Sequence, residues 1–63
     1  MTEGERLKAI RKASGLTLDK FGEKLGVTKS ALSRIENGTN GLTDQMIRSV
    51  CREYKVNYDW LVR

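Results

Sequence analysis

The stretch Leu16-Thr17-Leu18-Asp19-Lys20-Phe21-Gly22-Glu23-Lys24-Leu25-Gly26-Val27-Thr28-Lys29-Ser30-Ala31-Leu32-Ser33-Arg34-Ile35-Glu36-Asn37-Gly38 decides how the chain folds. It holds two short segments with apolar residues at helical spacing, divided by Gly26-Val27. Each segment opens with an apolar residue, then a threonine, then an apolar residue four positions after the threonine. The instances are Leu16-Thr17-Phe21 and Val27-Thr28-Leu32. A threonine so placed caps a helix, because its side-chain oxygen accepts from an orphan backbone N–H. The apolar pair around it is a hydrophobic staple, which fixes the angle at which the chain joins the helix. Gly26 can take the left-handed conformation that a tight interhelical turn needs. Val27 then plugs the corner. Two helices joined by so short a turn form a helix-turn-helix.

The same grammar recurs downstream at Leu42-Thr43-Ile47 and Val56-Asn57-Leu61. Upstream, Thr2 and Glu5 have the spacing of a capping box. Leu7 and Ile10 begin a buried stripe there, and Ser14-Gly15 ends that helix. The pattern predicts an all-α fold of five helices, at 3–13, 17–24, 28–37, 43–54 and 57–62, with no segment of strand period. The predicted core is Leu7, Ile10, Leu16, Phe21, Leu25, Val27, Leu32, Ile35, Leu42, Ile47, Val50, Cys51, Tyr54, Val56, Trp60 and Leu61. Cys51, on the stripe with Ile47 and Val50, reads as a buried, inert thiol. Lys20 and Lys24 read as the solvated back of the second helix.

Composition bounds the function. Sixty-three residues make one domain, 1–63. A chain this short buries only about 60% of its unfolded surface, so its stability margin is thin. With one cysteine and no histidine it has neither an intramolecular disulfide nor a zinc set, and no cofactor is implied. Well-capped, well-packed helices or self-association must supply the stability. The net charge of +4 and pI near 9.6 favour an anionic partner, nucleic acid or an acidic surface. On charge alone, a mildly basic protein with neither partner fits equally. No apolar run approaches the roughly 20 residues of a membrane span. The polar start Thr2-Glu3-Gly4-Glu5 does not read as a signal peptide, and a lone cysteine fits a cytoplasmic location. An enzyme is disfavoured: there is no histidine, no carboxylate pair with a supporting base and no phosphate-binding glycine loop.

The quoted stretch resembles the DNA-binding domain of the lambda-type phage repressor and Cro class, the XRE family of helix-turn-helix proteins. The motifs that carry the likeness are Gly26-Val27-Thr28, Ile35-Glu36-Asn37-Gly38 and the closing Val56-Asn57-Tyr58-Asp59-Trp60-Leu61. The likeness covers nearly the whole chain. The resemblance implies a compact, lambda-repressor-like fold whose second and third helices form the helix-turn-helix. It implies a sequence-specific transcriptional regulator of double-stranded DNA, a repressor of phage or prophage type, working at the bacterial nucleoid. Such domains act as twofold homodimers on palindromic operators, with half-sites about 34–36 Å apart. No membrane and no small-molecule ligand is implied.

In that reading helix 28–37 lies in the major groove with its N-terminal residues on base edges. Periodicity turns Leu32 and Ile35 inward and leaves Lys29, Ser30, Ser33, Arg34 and Asn37 outward. Lys29 and Arg34 suit guanine O6 and N7, Asn37 suits adenine, and the serines are permissive. Asn37 serves equally well as the helix C-cap before Gly38. Without the turn motif the same face would read as a solvated surface. Phosphate contacts fall to Thr17 and the backbone N–H of Leu18 at the start of the second helix, to Thr28, and to Thr39, Asn40 and Thr43. Three positions depart from the family pattern. Leu18 stands where glutamine is frequent, the loop Gly38-Thr39-Asn40-Gly41 is neutral where relatives are basic, and Gly22 replaces the usual alanine. The first two imply a shallower salt dependence than a lysine-rich relative would show.

Arg11, four residues after Leu7, and Glu36, four after Leu32, both share buried stripes. Family members often carry an Arg–Glu ion pair at matching positions, which implies the same bridge here. Tyr58, Val62 and Arg63 on the last helix are the expected dimer contacts, Tyr58 as an exposed ring. Trp60 is expected in the core. Relatives often continue into a linker and a second domain, so the chain also fits the N-terminal part of a longer regulator. The alternative function is a protein-interaction module, an antitoxin or anti-regulator using the same fold. Leu18 and the neutral loop favour it.

Overall fold

The computed structural model describes residues 2–62. Five helices follow one another: α1 (Glu3–Ala13), α2 (Leu18–Leu25), α3 (Lys29–Glu36), α4 (Asp44–Tyr54) and α5 (Tyr58–Val62). No strand occurs among the described residues. Each helix begins at the predicted cap. The Thr17, Thr28 and Thr43 hydroxyls accept from the N–H groups of Lys20, Ala31 and Met46 at 3.2, 3.1 and 3.2 Å. Asn57 Oδ1 accepts from Trp60 N–H at 3.1 Å. At α1 the capping box is complete: Glu5 N–H donates to Thr2 Oγ1 at 3.2 Å and Thr2 N–H to Glu5 Oε1 at 3.0 Å. Those bonds to Thr2 hold the Glu5 carboxyl below its ordinary pKa, because they favour the ionised form. The predicted ranges for α2 to α5 had counted the capping residues as helix. In α3 the other end moves too, since Asn37 is the C-cap rather than the last helical residue.

The staples set the core. Phe21, Leu32, Ile47 and Leu61, each four residues after a cap, are buried, and Leu16, Val27, Leu42 and Val56 pack half-buried against them. Leu7, Ile10, Ile35, Met46 and Val50 complete the buried set. Full burial of a leucine or phenylalanine is worth about 1.5–3 kcal/mol, so this small set carries most of the stability. Leu25, Cys51 and Tyr54 were expected inside and lie half-buried at the edge of the core. Tyr54 leans on Phe21 with ring centroids 5.3 Å apart, and burial pushes its phenol pKa up. Met46 was overlooked by the periodicity, although it sits on the inward side of α4 beside Ile47 and Val50.

Trp60 is the clear correction. It is 45% exposed, not buried. On a helix of 100° per residue, Trp60 cannot share the inward direction that Leu61 occupies. A helix as short as Tyr58–Val62 has one inward position, and the staple gives it to Leu61. Trp60 instead lies under the Arg6 guanidinium of α1, 5.6 Å from ring centroid to Cζ.

α1 packs against both α3 and α5, α2 against α3 and α4, and α4 against α5. The segment between α3 and α4 is tied down rather than free. Gly38 takes φ +85°, and the Thr39 and Asn40 N–H groups both turn back to the Arg34 carbonyl at 2.9 and 3.3 Å. Leu42 N–H donates to Glu3 Oε1 at 3.2 Å. One strained residue stands out: Lys55, the C-cap of α4, is left-handed at φ 54°, ψ 43°. No helix among the described residues is long and apolar enough to cross a membrane.

Candidate nucleic-acid interface

The turn between α2 and α3 is built by two glycines. Gly26 adopts φ +76°, the left-handed C-cap of α2. That conformation lets Val27 N–H reach back to the Gly22 carbonyl at 2.9 Å. Gly22 acts from the other side. A Cβ there would stand 2.8 Å from the Val27 carbonyl oxygen, so the turn rests directly on the α2 backbone. Glycine costs about 0.5–1 kcal/mol of helix stability relative to alanine. At this separation alanine would instead have to push the turn away.

α3 is then clamped from behind by α1. Arg11 Nε donates to Glu36 Oε2 at 2.8 Å and Nη2 to Oε1 at 3.1 Å, a two-point fork. Its third donor, Nη1, reaches the Leu16 carbonyl at 3.1 Å. The side chains retain 13% and 4% of their surface, so the pair is almost dry. Two turns earlier on α1, Gly4 lies flat on the same end of α3. A Cβ at that position would overlap the Ile35 carbonyl oxygen. Sequence reasoning passed over Gly4. The signal was a glycine inside an otherwise regular helix, where it costs stability unless a neighbour needs the space.

With Leu32, Ile35 and Glu36 turned inward, α3 presents Lys29, Ser30, Arg34 and the cap residue Asn37 to solvent. Ser33 lies between them, half-buried. Neither the Lys29 nor the Arg34 side chain has a partner within the described residues. The face therefore offers unspent charge and donors on a helix that cannot easily move. Asn37 is the C-cap, and because capping uses its backbone, the side chain stays exposed.

The capping threonines combine two functions in one hydroxyl. The oxygen of Thr17, Thr28 or Thr43 accepts a backbone N–H, and its own proton remains free to donate outward. Thr39 and Asn40 are exposed on the tied loop. The Leu18 side chain packs half-buried against the core, so at this position only the backbone N–H is left to donate outward. Asp44, which would repel a phosphate near Thr43, is paired with Arg48 at 2.9 Å. On the last helix Tyr58 is 48% exposed and Val62 is half-buried against the core; Arg63 lies outside the described residues.

Comparison with known proteins agrees with this geometry. The helix-turn-helix family model matches residues 7–61. The N-terminal DNA-binding domain of SinR from Bacillus subtilis superposes with a TM-score of 0.81 at 35% identity, covering 94% of this chain and 87% of that one. The P22 c2 repressor, solved with a synthetic operator, superposes at 0.89 over 100% of this chain and 96% of its own, and at 22% identity shows the shared fold. Among curated proteins, antitoxin PezA of Streptococcus pneumoniae is 34% identical over 87% of this chain and 35% of its own length. The transcriptional repressor RghR of Bacillus subtilis is 33% identical over 94% of this chain and 44% of its own. The chain thus spans less than half the length of these two relatives. It belongs to the XRE-type helix-turn-helix family, as its fold and turn define.

Proposed function

We propose that residues 1–63 form a sequence-specific, non-enzymatic DNA-binding unit of a transcriptional regulator, which reads the major groove with α3. One observation carries this: a helix clamped by Arg11–Glu36 and Gly4 presents the unpaired Lys29, Ser30, Ser33 and Arg34 together. Arg34 and Lys29 read guanine, and Asn37 reaches an adenine. Thr17, Thr28, Thr39, Asn40, Thr43 and the Leu18 N–H hold phosphates. The finer reading is a repressor of phage or prophage type, bound as a homodimer to a palindromic operator in the bacterial nucleoid. The description of RghR as a repressor and of SinR as DNA-binding supports its coarser part, repression through DNA binding. The dimer uses α5, whose Tyr58 and Trp60 are the exposed large hydrophobics among the described residues.

Selection of bound duplexes from a random pool, followed by Arg34→Ala, tests the reading. The variant is expected to lose preference at one base position by about 1–3 kcal/mol. An equal loss on all sequences would make Arg34 a phosphate contact. Binding is expected to weaken with salt, less steeply than for a relative with a basic loop.

A second reading has its own support. Antitoxin PezA is a relative, and Leu18 and the neutral 38–41 loop lack the side-chain donor and the basic charge that would strengthen phosphate binding. A pure protein-interaction module would select no duplex at either of two salt concentrations.

A further inference from the structure

α1 is the helix that touches both ends of the proposed machinery. On one side it meets α3 through Gly4, packed on the Ile35 carbonyl, and through the Arg11–Glu36 fork. On the other side Arg6 reaches α5. Its Nη1 donates to the Trp60 carbonyl, and its guanidinium covers the Trp60 ring. The spacing of these residues explains the arrangement. Gly4 and Arg11 are seven apart, two turns along one face, whereas Arg6 is rotated about 200° from Gly4. One rigid helix therefore faces α3 with one side and α5 with the other.

The α5 joint needs such a fixture. α5 is about 7.5 Å long, and Leu61 is its one buried side chain. With Leu61 buried and Val62 beside it half-buried, so short a helix is held at one end, and Arg6 supplies a further point of attachment at Trp60. The Arg6 contact is only partly satisfied. Its Nε is buried without a partner, and an orphaned buried donor costs about 1–3 kcal/mol or more. Its position is better explained by what it orients.

We propose that α1 is a common mount for the recognition helix and the dimer face, and that Arg6 is the positioning residue that sets their relative orientation. This rests on the homodimer reading given above. In a twofold dimer formed through α5, the angle of α5 on α1 fixes the distance and rotation between the two α3 helices. Arg6 therefore selects the spacing of operator half-sites without touching DNA. One added base pair moves a half-site by about 3.4 Å and turns it by about 34–36°, so small changes in the mount are legible in the preferred spacer.

The test uses synthetic duplexes carrying one selected half-site, or two in inverted orientation with spacers varied by single base pairs. The wild-type chain is expected to show a sharp spacer optimum. Arg6→Ala is expected to keep its single-half-site affinity within about twofold, while its preference for the best spacer over the next falls by about fivefold or more. Arg6→Lys, which keeps charge and stem but loses the planar stacked fork, is expected to fall between. It carries the test if the alanine variant fails to fold. An unchanged spacer profile in the folded variants overturns the role of Arg6. So does an equal loss on one and two half-sites, which would mark a purely structural part. A wild-type chain that selects a half-site but shows no spacer optimum overturns the dimer and the inference with it. One that selects no duplex overturns the DNA reading itself.

Discussion

The two joints on α1 differ in kind. The joint with α3 is close, dry and fully paired: a glycine on a backbone carbonyl and a two-point ion pair with 13% and 4% of its side-chain surface exposed. The joint with α5 is half-open. It consists of a guanidinium over a ring that is 45% exposed, with one buried donor unmet. Both use arginine, and only one uses it to lock. The contrast separates α3, held closely and without an unmet group on α1, from α5, held through a partly open contact.

The largest effect is expected at the closed joint. Glu36→Ala leaves the Arg11 guanidinium nearly buried and without its carboxylate. Breaking such a pair costs about 3–5 kcal/mol, and the residual exposure of Arg11 and its bond to Leu16 place this case near 3. For a domain of this size that lowers the melting temperature by about 12 °C or more. A change of only a few degrees would mean that the fork contributes little to holding α3.

Gly4→Ala comes next. The added methyl meets backbone rather than a flexible side chain, so α1 has to move off α3. Overpacking of this kind costs about 1–3 kcal/mol. Base preference is expected to blur together with the loss of stability, as measured by denaturant midpoint and by duplex selection. Unaltered midpoint and preference would show that the α1–α3 joint has slack.

The open joint is expected to give much smaller changes in stability. Arg6→Ala removes a stacked cation worth about 0.5–1 kcal/mol at exposed sites and the bond to the Trp60 carbonyl, but also an unmet donor. Its thermal midpoint is therefore expected to shift far less than that of Glu36→Ala, while the spacer profile moves. Equal thermal losses at the two joints would erase the distinction between them. At the C-cap of α4, Lys55→Gly relaxes a left-handed residue. It is expected to stabilise by about 0.5–1 kcal/mol, seen as a small rise in midpoint.

Much of the fold was legible in the sequence. Every capping bond from α1 to α5 joins residues three apart, and the staples join residues five apart. Such contacts form within one or two turns of a helix, so residue type and spacing suffice to place them. The left-handed turn at Gly26 is equally local. The outward placement of Lys29, Ser30, Arg34 and Asn37 followed from period alone, once Leu32 and Ile35 were assigned inward, whereas Ser33 is half-buried. The Arg11–Glu36 pair spans 25 residues and could still be anticipated. Each charge lay on an apolar stripe, and a buried charge needs an opposite one. Family resemblance supplied the pairing.

Other features depended on which helix met which. Trp60 was expected inside because it is large and apolar, yet a five-residue helix has a single inward position and Leu61 holds it. The bond from Arg6 to the Trp60 carbonyl joins residues 54 apart, and that from Leu42 to Glu3 joins residues 39 apart. No spacing rule reaches so far along the chain. Gly4 looked like a weakness in α1 until the carbonyl of Ile35 was found against it. The sequence by itself determined where each helix starts, where it stops and which of its faces is apolar, since those are settled within a few residues. Only the tertiary structure decided how closely α1 approaches α3 and what holds α5. Those depend on the crossing of helices distant in sequence, where one Cβ or one orphaned N–H tips the balance.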